Sequence, residues 1–293
     1  MNPSVSGVAV AWRPAIAGLL QTYAASGRLG FTEVVAENMS PTQVPQALTD
    51  LGVPVVAHGV TLGLAGADRP AADRLTRLAE LAEVLDSPFV SEHVAFVRAS
   101  DSPDPLHGDV LEAGHLLPPP RTKDSLDVLV DNVRIAQEQL PVPLAVENIA
   151  ATFTWPEDTL DEPDFLTELV ERTGVRLVLD VANLYASAVA RGSDPVADLA
   201  RFPLDAVAYM HVAGGTERDG LYLDTHGHPM PPPVLSLLAT VVEAYAGRPL
   251  PGIMLERDTD VSPQTVDPEF IRLTEAVRGP QALGRSAPPV TGA

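Results

Sequence analysis

The run Arg176-Leu-Val-Leu-Asp180 places three apolar residues in a row and then a carboxylate. A short, unbroken apolar run without polar alternation is the mark of a strand covered on both faces, as in a parallel sheet. Seven further runs share its form: Val8 to Trp12, Phe31 to Glu37, Pro54 to His58, Phe89 to His93, Pro143 to Glu147, Ala206 to His211 and Gly252 to Glu256. Amphipathic stretches separate them. Eight strands alternating with helices predict a (β/α)8 TIM barrel, for which 293 residues is a typical length.

The intervening helices follow from apolar spacing. Pro70 to Leu85 carries Leu75, Leu78, Leu81, Ala82 and Leu85, and Thr122 to Leu140 carries Leu126, Leu129, Val130, Val133 and Ile135. Thr122 with Ser125 offers an N-cap, and Asp161-Glu-Pro-Asp starts a helix reaching to about Arg172. Further helices are predicted over Asp194 to Ala200, Pro232 to Ala246 and Pro268 to Val277. Arg98 to Pro120 reads as a long loop after the fourth strand, of the kind that is often functional. The expected division is one barrel domain over residues 1–278 and a disordered tail over 279–293.

Composition narrows the chemistry. The chain has no cysteine, which removes disulfides, thiolate zinc sites, iron–sulfur clusters and a cysteine nucleophile together. A net charge of -20 with dispersed Lys and Arg argues against nucleic acid as a partner and is consistent with plain solubility or with attraction of a basic peptide. No run approaches the roughly 18 apolar residues of a membrane span, and MNPSVSGVAV lacks a basic region before its apolar stretch, so a soluble cytoplasmic protein is expected.

In this barrel the catalytic groups stand at the C-terminal ends of the strands. Those ends read Glu37 and Asn38, His58, Glu92 and His93, Glu147 and Asn148, Asp180 and Asn183, His211, and Glu256 with Asp258. Taken singly, each reads as a core histidine, a cap or a salt bridge. Glu147 and Asp180 resist that reading, because a carboxylate after Leu-Ala-Val or Leu-Val-Leu is buried, and an unpaired buried charge costs several kcal/mol. A further stretch, Leu221-Tyr-Leu-Asp-Thr-His-Gly-His-Pro229, reads as a loop in which Asp224 and His226, two residues apart, converge on one point. Four histidines with at least four carboxylates at one rim imply cations, more than one, held by nitrogen and oxygen; zinc, manganese and iron all suit such a set.

The pattern resembles the DUF692 (UPF0276) family of multinuclear non-heme iron-dependent oxidative enzymes, which includes the methanobactin-biosynthesis oxidase. The likeness is carried by residues 31–38 (FTEVVAEN), 57–64 (AHGVTLGL), 90–93 (VSEH), 116–120 (LLPPP), 146–148 (VEN), 179–185 (LDVANLY), 211–214 (HVAG), 224–227 (DTHG) and 255–258 (LERD). It departs at Ala182, where the family often has Asn, and in its first strand, Gly-Val-Ala-Val-Ala-Trp.

The resemblance implies two or three irons, with O2 as co-substrate. His58, His93 and Glu147 match the ligands of one; Glu147 can bridge to a second held by Asp180 and His211; Asn183, Asp224, His226 and Glu256 match the positions that complete the cluster or hold a third. It also implies a ribosomally made precursor peptide as substrate, commonly modified at cysteine, and a small partner protein that presents it. Glu92, Tyr185, Arg257 and Asp258 lie near the rim and are candidates to orient or deprotonate substrate, or to be structural. Two other readings stand beside this one: a redox-neutral divalent-metal isomerase or hydrolase on a xylose-isomerase-like barrel, and a peptide-binding scaffold with a vestigial site.

Overall fold

The structure, a computed structural model, describes residues 5–100 and 110–279. Eight parallel strands close into a barrel: β1 (Val8–Ala11), β2 (Thr32–Val35), β3 (Val55–His58), β4 (Val90–His93), β7 (Leu144–Glu147), β8 (Arg176–Asp180), β9 (Val207–Val212) and β12 (Gly252–Leu255). They are the eight apolar runs of the sequence. Around the barrel the order is β1-β12-β9-β8-β7-β4-β3-β2, with β1 pairing β12 on one side and β2 on the other.

Side chains alternate across a strand with period two. One set of alternating residues faces the helices, among them Val10, Val34, Ala57, Val90, Val146, Leu179, Val212 and Ile253. The other set forms a separate apolar layer inside the barrel: Ala9, Ala11, Phe31, Val56, Phe89, Ala145, Val178, Tyr209 and Met254. Two residues onward along the same strands stand Glu33, His58, Ser91, Glu147, Asp180, His211 and Glu256, so the polar site lies directly above an apolar barrel floor.

The outer layer is α1 (Ala17–Ala25), the short α2 (Gln46–Thr49), α3 (Ala72–Leu85), α4 (Lys123–Gln139), α5 (Glu162–Thr173), α6 (Val181–Arg191), the short α7 (Pro195–Leu199), α8 (Pro232–Ala244) and α9 (Pro263–Arg278). Caps fix their starts. The Thr122 side chain accepts from the Ser125 N–H (3.2 Å) at α4, and Asp161 accepts from the Asp164 N–H (3.0 Å) at α5. Helix α9 begins five residues before the expected Pro268, because Ser262 and Thr265 form a capping box ahead of it.

Two loop expectations are corrected. Within Arg98 to Pro120, β6 (Val110–Leu117) pairs antiparallel with β5 (Phe96–Ser100), and residues 101–109 lie outside the described residues. Most of β6 is exposed, so it carries no burial pattern to betray a strand. Likewise Leu221–Leu223 is a strand, β11, paired with β10 (Thr216–Arg218), and the loop begins only at Asp224. The expected tail after Gly279 also falls outside the described residues. No helix among the described residues is long and apolar enough to cross a membrane.

Candidate metal centre

Six barrel strands and the segment after β11 bring nine imidazole and carboxylate side chains to the C-terminal mouth. Eight of them fall into three groups whose ligand-type atoms lie within 4.8 Å of one another: His58, His93 and Glu147; Glu147, Asp180, His211 and Glu256; and His226, Glu256 and Asp258; the ninth, Asp224, meets His226. Glu147 belongs to the first two groups and Glu256 to the last two. One Glu147 oxygen, Oε2, faces His58 Nε2 at 3.7 Å, His93 Nε2 at 3.6 Å and His211 Nδ1 at 3.3 Å. One Glu256 oxygen, Oε2, faces His211 Nδ1 and His226 Nδ1, each at 3.4 Å.

The chemistry of the donors fits cations. Glu147 Oε2, Asp180 Oδ2, His211 Nδ1 and Asp224 Oδ1 are buried with no hydrogen-bond partner. Buried polar atoms are almost always satisfied, and orphans on Glu147, Asp180 and His211, three residues of one group, form the pattern of metal-ligand atoms. Only nitrogen and oxygen donors are present, which suits first-row divalent metals.

The charges within the centre are strongly interdependent. Burial, then the nearby Asp224 and Glu147 carboxylates, push Asp180 up to about 8. Burial works against the Glu147 charge, but His211 and His93 outweigh it and hold that carboxyl down to about 2. Burial also opposes an imidazolium at His93, yet Glu147 and Glu92 lift it to about 9. Protons here stand in for positive charge that a metal would supply.

The surroundings fix how each ligand points. Asp180 caps α6: its Oδ1 accepts the Asn183 N–H at 2.6 Å, which leaves Oδ2 aimed at the centre. Asn148 ties the same place down, accepting the Asp180 N–H (2.9 Å) and donating to the Asp180 carbonyl (3.0 Å). Asn183 donates through Nδ2 to the Asn148 carbonyl (3.0 Å) and, at 3.5 Å, towards Glu147 Oε1. Glu92 lies under His93: its Oε1 accepts the His93 backbone N–H (2.8 Å) and faces Nδ1 of that ring (3.3 Å), so Nε2 is the nitrogen turned to Glu147.

The Asp224 to His226 segment reaches the centre from beyond the strands. His226 Nε2 meets Asp224 Oδ2 at 2.5 Å, while its Nδ1 faces Glu256 and, at 3.1 Å, Asp258. The residues converge, though through a left-handed backbone at His226 (φ 48°) rather than simple extended alternation. The segment is pressed against the end of β9: a Cβ on Gly214 would lie 1.9 Å from the His228 carbonyl oxygen, so only glycine fits there. His228 itself is exposed and bonds Thr225. Asp258 is held between His226 and Arg13, whose Nη2 donates to its Oδ1 at 2.6 Å. Changing Asp224 and His226 together to Ala should lower the bound-metal count, read by mass spectrometry, while circular dichroism shows an unchanged barrel; an unchanged count would remove the segment from the centre.

Other sequence candidates stand apart. Tyr185 stacks edge-on to Tyr222, with centroids 5.1 Å apart. The Arg257 guanidinium is buried against Glu269 of α9 and serves the scaffold. On β2 the strand ends at Val35, and Glu37 sits in the following turn accepting from the Val60 N–H (3.0 Å) and the Thr61 hydroxyl (2.7 Å). The inward carboxylate of that strand is Glu33, which reading strand ends alone passes over, as it does Ser91 and Tyr209. The signal that finds all three is the two-residue register from Phe31, Phe89 and His211.

Comparison with known proteins shows the family and the fold. A UPF0276 protein of Streptomyces avermitilis is 54% identical over 257 residues, covering 86% of this chain and 51% of the relative. A UPF0276 protein of Caulobacter vibrioides is 37% identical over 241 residues, 80% of each chain. The chain thus spans about half the length of the first relative. Among solved structures, endonuclease IV from Thermus thermophilus (18% identity, TM-score 0.55, covering 93% of this chain and 98% of that one) and a 3-keto-D-glucoside 4-epimerase from E. coli (12%, 0.55, 92% and 98%) share the barrel and show the fold alone, which is the xylose-isomerase-like TIM barrel. Residues 7–275 match the family described as RiPP precursor modification enzyme MbnB/TglH/ChrH, and the chain belongs to that family, to which the UPF0276 name is attached.

Proposed function

We propose that the chain is a multinuclear iron, O2-dependent oxidase that modifies residues of a ribosomally made precursor peptide in the cytoplasm, with cysteine as the target and a small partner protein presenting the peptide. The observation that supports it is the sharing of Glu147 and Glu256 between neighbouring ligand groups, since carboxylates that span adjacent ions are the hallmark of coupled metal centres. His58, His93 and Glu147 would hold one ion; Glu147, Asp180, His211 and Glu256 a second, with Asn183 beside Glu147; His226, Glu256 and Asp258, with Asp224 beside them, a third. When bound, iron supplies the electron transfer and O2 chemistry that no side chain can.

The protein's own groups then have three tasks. Glu92 and Asn148 orient ligands. The apolar floor of Phe31, Phe89, Tyr209 and Met254 seals the centre from below. His226 and Asp258 are its more exposed members, the Asp258 side chain 47% so, which leaves their side as the approach for a peptide. Protein from iron-supplemented cells should carry at least two irons per chain with a mixed-valence paramagnetic signal, and should consume O2 with a cysteine-bearing precursor peptide. One zinc per chain and no O2 uptake would overturn the reading in favour of redox-neutral chemistry.

A further inference from the structure

Below the metal centre a hydrogen-bonded chain crosses the barrel interior through three strands that are not neighbours: Glu33 on β2, Tyr209 on β9 and Ser91 on β4. Its two ends are ligand histidines from different groups. His58 Nδ1 meets Ser91 Oγ at 2.8 Å; Ser91 Oγ meets the Tyr209 hydroxyl at 2.7 Å; that hydroxyl donates to Glu33 Oε2; and His211 Nε2 meets the same Glu33 oxygen at 3.1 Å. All five side chains are buried, Glu33 at 2% exposure.

The direction of the protons follows from the inventory of donors. His58 turns Nε2 and His211 turns Nδ1 to the centre. A nitrogen that ligates a metal carries no proton, so the proton of His58 sits on Nδ1 and that of His211 on Nε2. The Nδ1–H of His58 donates to Ser91. The single phenol proton of Tyr209 goes to the carboxylate, the stronger acceptor, so between the two hydroxyls Ser91 donates to Tyr209. The Nε2–H of His211 also ends on Glu33. Every donor in the chain is used, and both arms end on one acceptor, the Glu33 Oε2 oxygen.

We infer that Glu33 is the positioning residue that sets which ring nitrogen both His58 and His211 offer to metal, directly for His211 and through Tyr209 and Ser91 for His58. This rests on the metal-centre reading but not on iron or oxidation. An outer hydrogen-bond partner of a ligand histidine is worth about 10- to 100-fold in metal affinity, and Glu33 serves two ligands.

The test is anaerobic titration of the full chain with Co2+, followed by visible absorption and calorimetry, with thermal melting of each metal-free variant as a fold control. Glu33→Leu should weaken binding about 10- to 100-fold at both groups, and Glu33→Gln, which keeps an acceptor oxygen, should restore most of it. Tyr209→Phe should weaken only the Co2+ site that includes His58, because Ser91 is then free to turn its proton onto His58 Nδ1. Nitrogen-15 spectra of labelled histidine in the Zn2+-loaded protein should show the His58 tautomer altered in that variant and His211 retained. If wild type binds Co2+ and a folded Glu33→Leu binds it equally well, the inference is wrong; if Glu33→Leu does not fold, Tyr209→Phe decides, and equal binding at all sites refutes it. If wild type binds no Co2+, the metal-centre reading itself fails.

Discussion

Glu147→Gln should leave a folded barrel that has lost the metal of two of its three ligand groups, because Glu147 is the one side chain common to both. The change keeps volume but replaces a carboxylate by a neutral amide whose nitrogen cannot ligate. His58, His93 and His211 all turn a nitrogen to Glu147 Oε2, so each loses its shared partner at once. O2 uptake should fall by more than the roughly 100-fold that removal of an outer hydrogen-bond partner costs. The metal-free protein should also lose stability, on the order of 3–5 kcal/mol, since Glu147 offsets buried imidazolium charge and removing one side of a buried ion pair exposes the other. Metal analysis and thermal melting read the two effects separately. A variant with undiminished metal content would show that Glu147 does not bridge.

Chelation should have an effect that grows with pH. A group whose pKa is higher in the folded chain than in the unfolded one binds its proton more tightly when folded. Its contribution to stability is complete below the unfolded value and lost as pH rises through the folded value. Asp180 runs from 3.8 to about 8 and His93 from 6.5 to about 9, so both withdraw stability on the alkaline side. Glu147, held at about 2, runs the other way and is lost only in strong acid. The metal-free chain should therefore melt at progressively lower temperature from pH 5 to about 9. The loaded protein should not, because metal takes the place of those protons, and loading should release protons to the buffer. With free metal at 100 times its dissociation constant, one site adds about 2.7 kcal/mol, roughly 4–5 °C in melting temperature for a chain of this size. Parallel pH profiles of the loaded and stripped protein would contradict the scheme.

The barrel was legible because its strands are buried on both faces, and an unbroken apolar run such as Leu177-Val-Leu179, repeated in form eight times along one chain, fits little else. The site was legible where a ligand ends a run, as with His58, Glu147 and Asp180. Three things escaped for physical reasons. Exposed strands, β6 above all, bury nothing and so leave no apolar trace. Helix α6 follows β8 without an intervening loop, Asp180 ending the strand and capping the helix at once, and it buries Asn183 and Ser187 among its apolar residues, so Val181 to Arg191 offers no separate start signal. Glu33 escaped because its strand runs past it to Val35, and Glu37 stands where a strand-end carboxylate is expected.

The three ligand groups are not equally anchored. Those around Glu147 are mounted on barrel strands, which open only when the whole barrel does. The third depends on His226, carried just beyond a hairpin of two three-residue strands and held in a left-handed backbone that costs on the order of 1 kcal/mol or more. So small a hairpin opens by itself at a fraction of the free energy of global unfolding. Metal in this protein should then exchange on two clocks: the outer ion with each opening of the hairpin, the inner pair only over the lifetime of the fold.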